Sequence, residues 1–97
     1  MAVKFEWDPA KDAKLRRERS IGFTDAQTGW ADPDAIEIEA ETRGEPRWAL
    51  IARVRGKIHT IVFTRRADAI RLITIRRAHH DEEQLYEEHA QTDDRGV

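Results

Sequence analysis

Ten basic side chains, nine of them arginine, fall between Arg43 and Arg77 against only Glu45 and Asp68. The planar fork of arginine grips two phosphate oxygens at once and keeps its proton at any working pH. Arg65, Arg76 and Arg77 stand at the ends of expected strands, and Arg71 lies within the last of them. His59 sits in the strand before, where a pKa near the ordinary value of about 6.5 would let it move a proton close to neutrality. A half-buried packing role is its structural alternative. The middle segment carries +8, while residues 1–42 carry −4 and residues 78–97 carry −6. Such segregation raises the local potential far above what the net charge of −2 suggests. Two readings follow: a basic surface for a polyanion or an acidic partner, or pairing of these arginines with the acidic flanks inside the monomer.

The elements that must position these groups are legible in the local pattern. Val3, Phe5 and Trp7 alternate with Lys4 and Glu6, the period of a short half-buried strand. Asp8-Pro9 then reads as a helix N-cap and first position, because the carboxylate accepts orphan amides and proline needs no donor there. That helix extends to about Arg19. Thr24 and Gln27 are spaced as a capping box for a second, short helix, which Gly29 and Asp32-Pro33 should end.

Ile36, Ile38 and Ala40 alternate with glutamates, so that strand belongs near a sheet edge. Trp48 to Val54 and Lys57 to Thr64 form a hairpin across Arg55-Gly56, since glycine supplies the positive φ of a tight turn. Ala69 to Ile75 follows the polar turn Arg65 to Asp68. A last helix starts at His79 or Asp81, with Asp81, Glu82 and Glu83 suited to its positive end. The expected fold is α+β: an antiparallel sheet with two N-terminal helices and one C-terminal helix. One domain over residues 1–91 is expected, with 92–97 a disordered tail.

Composition narrows the classes further. The 97 residues are too few for a second core, yet 39% hydrophobic content supports a modest one. No cysteine is present, which removes disulfides, thiolate metal sites and thiol nucleophiles. The apolar runs are too short for a membrane span, and the N-terminus lacks an export pattern, so a soluble cytoplasmic protein without membrane contact is expected. His79, His80 and Glu83 have no second ligand pair at a recognisable spacing; no metal and no cofactor are expected.

Read in order, Phe5-Glu6-Trp7-Asp8-Pro9-Ala10-Lys11, then Phe23, Ala26, Trp30 and Asp32-Pro33, resemble the BrnT family of type II toxin–antitoxin toxins. Glu45, Arg47-Trp48, Gly56-Lys57, Val62-Phe63-Thr64-Arg65, Ile70 through Ala78, Glu82 and Tyr86 continue the resemblance to about residue 87. It implies a RelE-like fold, a ribonuclease that stops translation, and neutralisation by a BrnA-like ribbon-helix-helix antitoxin in a heterotetramer that reaches operator DNA through the antitoxin. Leu15 and Glu18-Arg19-Ser20 stand where relatives carry Asn and Lys-His-Gly. That departure sets a second expectation beside the first: a catalytically impaired protein acting as an antitoxin-binding or RNA-binding module.

Metal-independent RNA cleavage needs a base for the ribose 2′-hydroxyl, a proton for the leaving 5′-oxygen and cations over the phosphorane. Arg65, Arg76 and Arg77 are the expected cations, converging on one sheet edge, and His59 the proton carrier. Lys11 matches the family lysine and is expected to hold phosphate. Arg71, Trp48, Glu82 and Tyr86 complete the expected RNA contacts. Each has a structural alternative: Arg76 or Arg77 pairing with Glu82 or Asp81, Trp48 in the core, and Tyr86 packing the last helix on the sheet.

Overall fold

The computed structural model describes residues 3–40 and 44–95. Strand β1 (Lys4–Glu6) leads into α1 (Pro9–Arg19), whose N-cap Asp8 accepts the Ala10 amide at 2.9 Å. Helix α2 (Phe23–Gln27) and a 3₁₀ turn (Thr28–Ala31) precede strands β2 (Ile36–Ala40), β3 (Arg47–Val54), β4 (Lys57–Arg66) and β5 (Ala69–Arg77). Helix α3 (His80–Arg95) closes the chain and runs past residue 91. Of the expected tail, residues 96 and 97 lie outside the described residues.

The sheet order is β1-β5-β4-β3-β2, and β2 to β5 pair antiparallel throughout. The expectation of a wholly antiparallel sheet is corrected at one edge: β1 runs parallel to β5, with Glu6 beside Arg71. The chain enters β1, crosses the sheet face through α1 and α2, and returns, so its first and last strands meet pointing the same way. The expected turn from Arg65 also shrinks. β4 continues through Arg66, and Ala67-Asp68 alone turn the chain, with Ala67 at φ 47°. Arg55 and Gly56 take φ 50° and 80°, the two positive values a tight hairpin turn requires.

The start of α2 differs from the Thr24 cap. Gly22 is the N-cap, and the Asp25 carboxylate, three residues on, accepts the Gly22 amide at 3.1 Å. Asp12 of α1 takes the Phe23 amide at 2.7 Å, so a tertiary contact outbids the local hydroxyl. The α-helical turns end at Gln27, and Gly29 lies inside the 3₁₀ turn that Asp32 caps, where a Cβ would come within 2.9 Å of the Ile61 side chain. Glycine here lets backbone sit on the sheet.

Both sheet faces are covered. On one, Leu15, Ile21, Phe23 and Ala26 pack on Leu50, Ala52, Val54, Ile61, Phe63, Leu72 and Ile75, with Phe5, Trp7, Trp30 and Trp48 at the margin. On the other, Tyr86 of α3 packs on Ile51 and Ile58. Apolar residues of both parities in β3 and β4 follow from this double covering.

Candidate functional site

The αL residue Ser20, at φ 58°, turns the chain sharply off the end of α1. This brings Arg19, Ser20 and Ile21 over the end of the sheet where the β3–β4 turn and the end of β5 meet. The result is an open cleft of about 520 Å³ lined by Arg19, Ser20, Ile21, Arg55, Lys57, His59, Arg76 and Arg77. Five of those eight residues are cations, and one more is a histidine.

His59 and Arg77 face each other across the β4–β5 ladder on the face that carries α1, while their neighbours Thr60 and Arg76 pair on the opposite face. His59 is 6% exposed, and its Nδ1 lies 2.9 Å from the Lys57 carbonyl. A carbonyl only accepts, so Nδ1 carries the hydrogen and the neutral ring holds its lone pair on Nε2. Burial pushes the imidazole pKa below its usual value, and Arg77 and Lys57 push it further. The Lys57 carbonyl and Asp25 oppose them without prevailing. These influences together favour the neutral form of the His59 ring.

The cations of the cleft differ in how far they are already satisfied. Arg76 is closed: Nη1 and Nη2 meet the two Glu82 oxygens at 2.8 and 3.0 Å. Arg77 lies 3.8 Å from Glu83, and Arg55 3.9 Å from Asp25 while donating to the Ser20 carbonyl at 3.3 Å. Arg19 donates Nη1 to the Ile75 carbonyl at 2.7 Å.

The structure thus brings together three of the expected residues, His59, Arg76 and Arg77. The others lie elsewhere. Arg65 stands about 20 Å along β4 from His59, six residues at roughly 3.3 Å each. There its guanidinium lies 4.5 Å over the Trp48 ring and 2.7 Å from Glu37. Trp48 also stacks on Phe63 at 6.2 Å and borders the core, so one of its faces is already taken by Arg65. Arg71 pairs with Glu6 at 3.1 Å. Lys11 is exposed in the first turn of α1, about 12 Å along the helix from Arg19.

Glu82 and Tyr86 hold α3. Besides Arg76, Glu82 accepts from the Thr60 hydroxyl at 2.9 Å and from the His79 amide at 2.8 Å, the reach-back bond of a helix start. Arg76 above all holds its pKa down to about 2, with the other two donors assisting against burial. The Tyr86 hydroxyl, on a residue 3% exposed, donates to Asp32 at 2.7 Å, and burial foremost raises its pKa. Neither group is placed to exchange protons at neutral pH.

Arg19, Arg55 and Lys57 line the cleft although none is among the individually expected site residues; Arg55 and Lys57 belong to the +8 segment, and Arg19 stands where relatives carry histidine. Locally Arg55-Gly56 is the hairpin turn and Lys57 opens the next strand, although cations at a turn beside a strand histidine are themselves a signal. Of the departures from the family pattern, Leu15 is buried in the core and Arg19 lines the cleft. Among the described residues no group of histidine and carboxylate side chains could hold a metal ion, and no helix is long and apolar enough to cross a membrane.

A family model described as ribonuclease toxin, BrnT, of type II toxin-antitoxin system matches residues 7–82, a span that contains every residue lining the cleft. No curated protein matches the chain.

Proposed function

Since the chain belongs to the BrnT family of ribonuclease toxins of type II toxin-antitoxin systems, we propose that it is a metal-independent endoribonuclease that cuts RNA in the cleft between the end of α1 and the β3–β4 turn. The observation that carries this reading is the meeting of His59 with Arg19, Arg55, Lys57 and Arg77 in one open space. His59 Nε2 takes the proton of a ribose 2′-hydroxyl. The 2′-oxygen attacks the adjacent phosphorus in line, the bond to the 5′-oxygen breaks, and that oxygen leaves with a proton from solvent. A 2′,3′-cyclic phosphate and a 5′-hydroxyl result. Arg55 and Arg77, with loose carboxylate partners, can turn toward the phosphorane as its charge grows.

A type II toxin has a protein antitoxin as its partner. The reading adds a BrnA-like ribbon-helix-helix antitoxin, a heterotetramer that reaches operator DNA through it, a RelE-like fold for the single domain of residues 1–91, a cytoplasmic location and arrest of translation by cleavage. Purified protein incubated with total RNA in EDTA tests the chemistry. Cleavage with cyclic phosphate ends by the wild type and not by His59→Gln is expected; equal cleavage by both removes His59 from the mechanism. The alternative, an impaired antitoxin-binding or RNA-binding module, is favoured by the closure of Arg76 onto Glu82. Induced expression without antitoxin separates the two, since the nuclease arrests growth and the module does not.

A further inference from the structure

We propose that Arg19 is the phosphate-holding residue of the cleft, its guanidinium oriented in advance by the protein backbone. This rests on the reading of the cleft as an RNA site and goes beyond it by naming the group that grips the chain. Four guanidiniums line the cleft, and three have a carboxylate beside them: Arg76 at 2.8 Å, Arg77 at 3.8 Å and Arg55 at 3.9 Å. Arg19 alone of the four has no carboxylate partner among the described residues; its contact is the Ile75 carbonyl. Lys57, the fifth cation of the cleft, likewise has no carboxylate partner, so Arg19 is the one cleft guanidinium whose charge no carboxylate offsets among the described residues.

Its position is also the most defined of the uncommitted cations. The Nη1 bond to the Ile75 carbonyl, at 2.7 Å, ties the last residue of α1 to β5 one residue before Arg76. A guanidinium has five N–H donors in a rigid plane. One is used, which leaves the rest of the fork to meet two phosphate oxygens with its orientation already set. Ordering the long side chain is thereby completed on folding, so less freedom is lost when a ligand arrives. Ser20 follows in the αL conformation, so the helix ends at this residue and no further turn of α1 covers it.

The test uses a short 2′-O-methyl oligoribonucleotide, which presents phosphates but lacks the nucleophile and stays intact. Binding is read by fluorescence anisotropy across a salt series for the wild type, Arg19→Gln and Arg19→Lys, alongside cleavage of ordinary RNA. Arg19→Gln should bind about tenfold more weakly, with the slope of log affinity against log salt smaller by about 0.7, the value for one phosphate contact on a single strand. Arg19→Lys should restore the slope but only part of the affinity, because a point charge lacks the fork. In cleavage the loss should fall mainly on KM. Arg19→Lys keeps the charge and a donor for Ile75, so it decides the matter if Arg19→Gln does not fold: wild-type affinity in Arg19→Lys overturns the assignment of a gripping fork. If the wild type cleaves RNA and Arg19→Gln binds with unchanged affinity and slope, Arg19 is not the phosphate holder and the nuclease reading stands. If the wild type neither binds the oligonucleotide nor cleaves RNA, the nuclease reading fails and takes this assignment with it.

Discussion

Strand β4 carries Lys57 and His59 at one end and Arg65 and Arg66 at the other, and the fold treats the two basic ends differently. At the far end Arg65 meets Glu37 at 2.7 Å, Arg66 meets Glu45 at 3.0 Å and nearby Arg71 meets Glu6 at 3.1 Å. At the cleft end the carboxylates nearest Arg55 and Arg77 stand at 3.9 and 3.8 Å, and Arg19 meets a carbonyl instead. Exposed ion pairs are worth only about 0–1 kcal/mol, so the far-end pairs do little for stability. Their effect is on potential: they cancel one basic region and leave the other positive. A row of arginines in a sequence is thus not yet a binding surface, because what matters is which of them find an acid.

The contrast breaks most visibly at His59. Arg and Lys neighbours can hold an anion, but only a proton acceptor starts the reaction, so His59→Gln should lower kcat by about 10²–10⁴-fold while the circular dichroism spectrum persists. The same ring sets a pH dependence. Its folded pKa lies below the ordinary value of about 6.5, so the acid limb of kcat/KM should fall below pH 6.5. A limb at or above that value would remove the buried imidazole as base.

Next in size is the Arg76–Glu82 pair, whose arginine is the one cation of the cleft end held closely by a carboxylate and should act as a structural tie rather than as a binding group. Glu82→Gln leaves Arg76 partly uncompensated against the sheet and should cost about 2–3 kcal/mol, less than a fully buried pair. In a chain this short that corresponds to a melting point lower by roughly 10–20 °C. The folded pKa of about 2 lies below the unfolded carboxylate value, so the unfolded state binds more protons as pH falls. The stabilisation is complete above about pH 4.5 and is lost progressively toward pH 2. Acid unfolding of Glu82→Gln should lack this component.

A smaller effect compares the two ends directly. Arg55→Ala with Arg77→Ala should flatten the salt dependence of RNA binding by about 1–1.5 in slope, whereas Arg65→Ala with Arg66→Ala should leave it unchanged. Equal slopes in the two double variants would mean that the far-end pairs open to bind RNA. Smallest is Tyr86→Phe, which removes one hydrogen bond to Asp32 and should cost about 1 kcal/mol in denaturant without altering cleavage.

Much of this architecture was readable locally. Asp8-Pro9, Arg55-Gly56 and the alternation from Ile36 to Ala40 mark a helix start, a hairpin and an edge strand, because each signal and its cause lie within a few residues. What depends on distant partners was not. Glu37 and Arg65 are 28 residues apart and Glu6 and Arg71 are 65 apart, so no local pattern announces that these arginines are neutralised. The cleft shows the same limit in reverse. The Arg55 guanidinium meets Ser20 across 35 residues, and only the folded chain shows that the end of a helix and the tip of a hairpin share a space. In the sequence His59 stands out for its chemistry alone; the bond to Lys57 that fixes its tautomer is local, but its burial is not.

The parallel seam between β1 and β5 bears on when this protein becomes complete. Its two strands are made 65 residues apart, since Lys4 aligns with Ala69 and Glu6 with Arg71. At translation rates of about 5–20 residues per second, the first strand waits on the order of several seconds for its mate to leave the ribosome. Arg76 and Arg77 emerge later still, so a nascent chain has neither its closing sheet edge nor its assembled cation cluster. A cell making this chain therefore has an interval, set by contact order rather than by any regulator, in which the polypeptide exists and its charge cannot yet act.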